Sequence, residues 1–233
     1  MKKTLLLQLL CFTAYLVSAQ NSEDIVIKPG EEGEKTLLKV IYLYPDFHNG
    51  FVYLKDGKKS AARLNYNIYN DKIEFISPRG DTLEATDEKN FDYIVIVKDT
   101  LYYQQGYFQK IGGNDTVKLV VKQSFAATSK EKIGGYGIST STAAVTPYNS
   151  VSVGNQRYNL TVNEIVTLKK ENIFYIGDQF NHFQKATRKN ILYKFEKHQA
   201  ALKEYLNSHS VNFEQKEDLQ KLVNYIIQLQ ASQ

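Results

Sequence analysis

The sequence predicts an α+β fold: a mainly antiparallel β-sheet, as a sandwich or strongly curved meander, followed by a C-terminal α-helical hairpin. Three observations predict it. Between residues 36 and 177, short β-branched and aromatic runs recur, many of them alternating apolar with polar, and Gly, Asp, Asn and Pro punctuate them. Beyond residue 178 the apolar spacing changes to three and four, the period of a helix face. The only cysteine, Cys11, lies in the N-terminal apolar run, so residues 20–233 carry no disulfide and must be held by a packed core.

Residues 20–35 (QNSEDIVIKPGEEGEK) are polar and read as a flexible leader; residues 36–177 read as the β-rich domain. TLLKVIYLY (36–44) is the first expected strand. FVYLK (51–55) and KKSAARLNYNIY (58–69) flank Asp56-Gly57, the signature of a type I′ hairpin. In the second of these, Ala62, Leu64, Tyr66 and Ile68 share one face and Arg63, Asn65 and Asn67 the other, which predicts a half-buried strand. Asn70-Asp71 turns the chain into KIEFIS (72–77), and Pro78-Arg79-Gly80-Asp81 turns it again. FDYIVIVK (91–98), LYYQQGYFQKI (101–111) and TVKLVVKQ (116–123) continue the meander, with turns at Lys98-Asp99 and Gly112-Gly113-Asn114-Asp115. Residues 124–157, rich in Gly, Ser and Thr, interrupt the pattern and are expected to form a long loop. Strand signals return at 158–169 and 172–177.

Residues 178–233 form the expected helical tail, packed on the sheet. Asp178 is placed to cap a short helix through His182, and Thr187 a longer one that carries Ile191, Phe195, Leu202, Tyr205 and Leu206. Asn212 with Gln215 resembles a capping box before the stripe Leu219, Leu222, Val223, Ile226 and Leu229.

The first nineteen residues carry an address. Lys2 and Lys3, the apolar run Leu5 to Val17, and the small residues of Val17-Ser18-Ala19 predict a signal peptide, with the mature chain starting at Gln20. The residues before Cys11 (Gln8-Leu9-Leu10) do not make a lipobox, and no later run is apolar enough to span a bilayer, so no membrane insertion of the mature chain is expected. The formal net charge of +4 owes two units to Lys2 and Lys3, so the mature chain has no electrostatic reason to seek nucleic acid.

Catalytic signatures are missing from the sequence. It has no G-x-S-x-G and no H-E-x-x-H, and GGYG (134–137) has neither the third glycine of a dinucleotide fingerprint nor the G-K-[ST] of a P-loop. No catalytic residue and no cofactor is therefore assigned. Asp178 and His182, four apart, are the metal candidates, two ligands short of a site. His198 falls on the apolar stripe and reads as a core-edge residue; His48 falls in a Pro-containing loop. Tyr66, Tyr93 and Tyr103 read as sheet packing, whereas Tyr136 and Tyr148, in the uncharged loop, are the binding candidates.

The runs DGKKSAARLNYNIYNDKIEFISPRGDTL (56–83), GGYGISTSTAAV (134–145) and VNFEQKEDLQKLVNYI (211–226) resemble a family of secreted proteins of Gram-negative bacteria of the Bacteroidota type, whose activity is undefined. The resemblance implies a periplasmic or outer-membrane-facing protein. In such bacteria Asp-Ser/Thr-apolar triplets can carry O-glycans, which makes Thr82, Thr100 and Thr116 the modification candidates, although an Asp ending a turn before a strand-starting Thr gives the same pattern. The functional expectation is a non-enzymatic, exported binding or structural protein with an envelope protein or a glycan as partner. The alternative is an envelope hydrolase or carbohydrate-binding module with its site under residues 134–155.

Overall fold

The computed structural model describes residues 24–133, 139–141 and 164–232. Strand β1 (Asp24–Ile27) and helix α1 (Glu31–Ile41) replace the leader and first strand expected from the sequence. The physical reason is spacing: Leu37 and Ile41 lie four apart, both fully buried, and acidic residues open the helix while Lys39 closes it. These contributions outweigh the β-branched character of residues 36–41. β1 is held by pairing with β11 (Glu164–Gly177), and α1 buries Leu37 and Ile41 against Val166 and Leu168 of that strand.

The meander follows as β2 (His48–Leu54), β3 (Lys59–Asn67), β4 (Lys72–Ile76), β5 (Thr82–Glu84), β6 (Phe91–Ile96), β7 (Asp99–Tyr103), β8 (Tyr107–Gly113), β9 (Lys118–Ile133), β10 (Ser139–Ser141), β11 and β12 (Phe183–Lys185). These strands form one open antiparallel sheet of order β1-β11-β9-β8-β7-β6-β2-β3-β4-β5, with β10 on β9 and β12 on β11. Several local expectations change, among them the break expected between 158–169 and 172–177: residues 164–177 are the single strand β11, because β9 pairs with it along its whole length. The Asp56-Gly57 turn has positive φ only at Gly57, whose N–H donates to Leu54 O, so it is not type I′. The run 101–111 is two strands, because Gln105 and Gly106 both take positive φ and reverse the chain. A side chain at Gly106 would also collide with Lys122 and Asp71, so only glycine fits there. The expected loop at 124–157 is a strand up to Ile133, because β9 continues along β11, with Phe125 and Ala127 packed toward α1.

β3 is not half-buried over its second half. Asn65 and Asn67 are fully enclosed, because residues 41–46 run alongside them. Asn65 Nδ2 donates to the Tyr44 and Asp46 carbonyls while its Oδ1 accepts from Tyr44 N, and Asn67 Nδ2 donates to Glu74. Each buried amide thereby finds partners.

The helical tail comprises α2 (Arg188–Lys194), a 3-10 turn (Glu196–His198), α3 (Gln199–Ser208) and α4 (Lys216–Ala231). Thr187 caps α2 through Asn190 N, as its position predicts, but the single helix expected through Leu206 is split: Phe195 leaves the helical conformation and the 3-10 turn follows it before α3. Asn212 instead organises the loop before α4, accepting from Glu214 N, and Gln215 is the cap. Ile191, Phe195, Leu202, Leu206, Leu219, Leu222, Val223 and Ile226 pack on Val117, Leu119, Val121, Phe174 and Ile176, which covers one face of β9 and β11. Tyr205 and Tyr225 stack at 4.4 Å between α3 and α4. No helix among the described residues is long and apolar enough to cross a membrane.

Candidate functional site

Alternation along the strands sends the next residues to the opposite face of the sheet, away from the helices. There Tyr53 and Tyr93, directly opposite across β2 and β6, stack at 4.4 Å. Phe51 continues the row on one side, and Tyr102, Phe183, Phe108 and Tyr175 on the other, each ring within 6.4 Å of the next. The row is buried only at one end. Phe183 lies over Tyr102 and Phe108 and leaves both almost fully buried, whereas Tyr53 and Tyr93 are half-buried and Phe51 is exposed. No helix of the tail packs on this row.

A cleft of about 330 Å³ opens where the covered part meets the open part. Asp92 and Tyr93 of β6 form one wall, with Tyr102 of β7 beside them. Asp92 is there because β6 carries a bulge: Leu54 pairs with Phe91 and Tyr53 with Tyr93, leaving Asp92 without a partner residue and free to turn toward the Tyr93 face. Asp115 and Thr116, from the β8–β9 turn, form the mouth, with the Asp115 side chain fully exposed. That turn is an Asx turn in which Asn114 Oδ1 accepts from Thr116 N and Val117 N.

Gln179 and Asn181 form the far wall, on the turn between β11 and β12. The sequence suggests a short helix there; instead Asp178 folds residues 178–182 into a tight turn, its Oδ1 accepting from Phe180 N and His182 N at 3.0 Å. Asn181 takes positive φ, which asparagine tolerates, and its Oδ1 is buried without a partner. Phe180, between the two lining amides, is 69% exposed. Burial alone raises the Asp178 carboxyl, but the His182 N–H, the Lys194 ammonium at 3.0 Å and the Phe180 N–H together bring it down to about 2.

Lys118 lies on the floor, 5% exposed. Its Nζ donates to Asp115 O at 2.8 Å, Asp178 O at 3.0 Å and Gln179 O at 3.5 Å, tying the two cleft-forming turns together. It also stands 5.7 Å from the Tyr102 ring centre. Burial, then Lys110, lowers its pKa, against the pull of Asp115, Asp178 and Asp92. With three carbonyls around it, the amine is a structural cross-tie. Burial, then the Asp115 and Asp92 carboxylates, pushes the Tyr102 hydroxyl up to about 12, so it stays protonated. Tyr93 is raised by burial, then by Tyr53 and Asp92.

The residues singled out from the sequence fall in several places. Tyr136 and Tyr148 lie outside the described residues, as do residues 1–23. Asp178 and His182 do meet, with His182 Nδ1 3.3 Å from Asp178 Oδ2, but Lys194 shares that carboxylate and holds it in the turn. Among the described residues no group of three or more His, Cys, Asp and Glu stands close enough to hold a metal. Thr82 is exposed on edge strand β5, Thr100 is half-buried in β7, and Thr116 is exposed at the cleft mouth. Tyr66 is core, Tyr103 packs on the same cluster, and Tyr93 lines the cleft. His48 lies edge-on to Tyr44, and His209 stacks on Tyr205 far from the cleft. Asp92, Lys118, Gln179 and Asn181 carried no sequence signal, and Asp115 was marked only as a turn residue before Thr116.

Compared with known protein families, curated proteins and solved structures, the chain matches none.

Proposed function

We propose that this is an exported, non-enzymatic binding protein of a Gram-negative cell envelope, which recognises its partner through the open aromatic face of the sheet and the cleft beside it. One observation carries the reading: among the described residues no helix packs on the Phe51–Tyr53–Tyr93 row, and Phe51 is exposed, whereas the helical tail buries the other face of the sheet at β9 and β11. Large apolar rings arrayed on an uncovered surface are the usual anchors of recognition. The cleft residues favour binding over catalysis. The Lys118 amine is saturated by carbonyls, so it is not free to act as a base or nucleophile. The signal-peptide pattern of residues 1–19 supports export.

The test is a photo-crosslinking amino acid placed at Phe51 in the producing bacterium, with Lys203, exposed on α3, as the control position. A discrete adduct from position 51 and none from position 203 supports the reading. Equal labelling from both positions overturns it.

A further inference from the structure

We infer that the cleft between Tyr93 and the 178–182 turn is a subsite for one neutral sugar unit of a glycan. This inference rests on the binding reading above and assigns its ligand class. Size is the first argument. About 330 Å³ is at the small end of ligand pockets, enough for a sugar ring but not for a helix or a strand of a protein partner.

Charge is the second argument, and it works by elimination. A carboxylate-lined aromatic cleft attracts cations, but here the cation is internal: Lys118 sits by the Tyr102 ring, and Lys110 stands 3.7 Å from Asp115. An anion has nothing to bind, because the Lys118 donors are spent on backbone carbonyls and Asp92 and Asp115 repel it. An apolar ligand would desolvate two carboxylates and two amides without return.

What remains is a neutral ligand rich in hydroxyls with one apolar face. Its hydroxyls donate to Asp92, Asp115 and the side-chain carbonyl of Gln179, and accept from the Tyr93 and Tyr102 hydroxyls. Its C–H face packs on the half-buried Tyr93 ring.

Two of the seventeen tyrosines, Tyr93 and Tyr102, line the cleft, so binding is read from the difference in tyrosine emission between wild type and the Tyr93 variants. The mature protein is titrated with neutral hexose and N-acetylhexosamine oligomers, with polygalacturonate as the anionic probe and spermidine as the cationic one, and affinities are checked by calorimetry. Binding of a neutral oligomer, weakened at least tenfold by Tyr93→Ala and several-fold by Asp92→Asn and Tyr93→Phe but unchanged by Tyr205→Ala, supports the inference. The two conservative variants keep the test valid where Tyr93→Ala lowers stability. Binding of spermidine or polygalacturonate alone overturns the inference. So does silence toward every neutral oligomer while position 51 still yields its adduct, and in that case the broader binding reading stands. Loss of the adduct together with silence overturns both.

Discussion

Replacing Asp178 by Asn removes the charge that organises the cleft turn and leaves an oxygen able to accept from Phe180 and His182. The carboxyl falls from its ordinary 3.8 to about 2 in the folded protein. That difference corresponds to about 2–3 kcal/mol, at about 1.4 kcal/mol for each unit, and solvent screening brings it toward the lower figure. Its side chain is 29% exposed, so solvent screens the Lys194 pair only in part. The sign follows from proton linkage. A depressed carboxyl binds fewer protons folded than unfolded, so its contribution is complete above the unfolded value and is lost as pH falls through the folded one. Urea melts of wild type and Asp178→Asn should therefore differ by about 2 kcal/mol at pH 7, and the gap should close between about pH 4 and pH 2. Other carboxylates titrate in both proteins and cancel in the difference. A double-mutant cycle with Lys194→Met separates the ion pair from the two N–H bonds. A gap that is equally large at pH 7 and pH 2.5, or absent at pH 7, refutes the reasoning.

Other outcomes follow from the same structure. Leu222→Ala and Phe195→Ala each open a cavity between the helices and the sheet and should cost about 2–4 kcal/mol in urea melts; wild-type stability would show the helical tail to be independent. Burial raises the Glu74 carboxyl despite its bonds from Tyr42 and Asn67, so it is destabilising where it is forced to ionise. Glu74→Gln should therefore gain on wild type as pH rises above about 4.5, read in melts from pH 4 to pH 8. Lys118→Met takes the shared charged donor from the Asp115 and Asp178 carbonyls and should cost about 1–3 kcal/mol, with faster amide exchange in both cleft turns. Mass spectrometry of the native protein should find its N-terminus at or near Gln20, and an intact Met1 would refute export.

Much of the sheet between residues 51 and 123 was legible because its strands are local meander pairs, most of them announced by a turn whose residues tolerate positive φ. Asp71, Gly80 and Gly113 all adopt it. The helical tail was legible for a related reason: Leu219, Leu222, Val223 and Ile226 keep helical spacing and share one buried face. The misassignments lie where long-range contacts decide. β1 consists of four residues in a polar stretch and exists because β11 offers an edge 140 residues later. The second half of β3 looked solvent-facing because Asn65 and Asn67 are polar, yet backbone groups of residues 44–46 and the Glu74 carboxylate supply the partners that make their burial tolerable.

The cleft was hidden for a different physical reason. Its walls come from β6, β7, the β8–β9 turn and the 178–182 turn, so no window of sequence holds more than a fragment of it. Asp92 reaches it through a one-residue bulge, and bulges are set by pairing across strands. Lys118 reads as an ordinary polar position on a strand, and only the fold surrounds it with three carbonyls. The one local clue was Asp178 four residues before His182, and it pointed to a metal because spacing alone does not reveal a competitor. Lys194, sixteen residues downstream, occupies the carboxylate and turns the pair from a ligand set into a clamp for the turn that carries Gln179 and Asn181. The charge that seemed to belong to a binding site thus holds its wall in place. The groups left to meet a partner are the neutral and aromatic ones around it, together with Asp92 and Asp115.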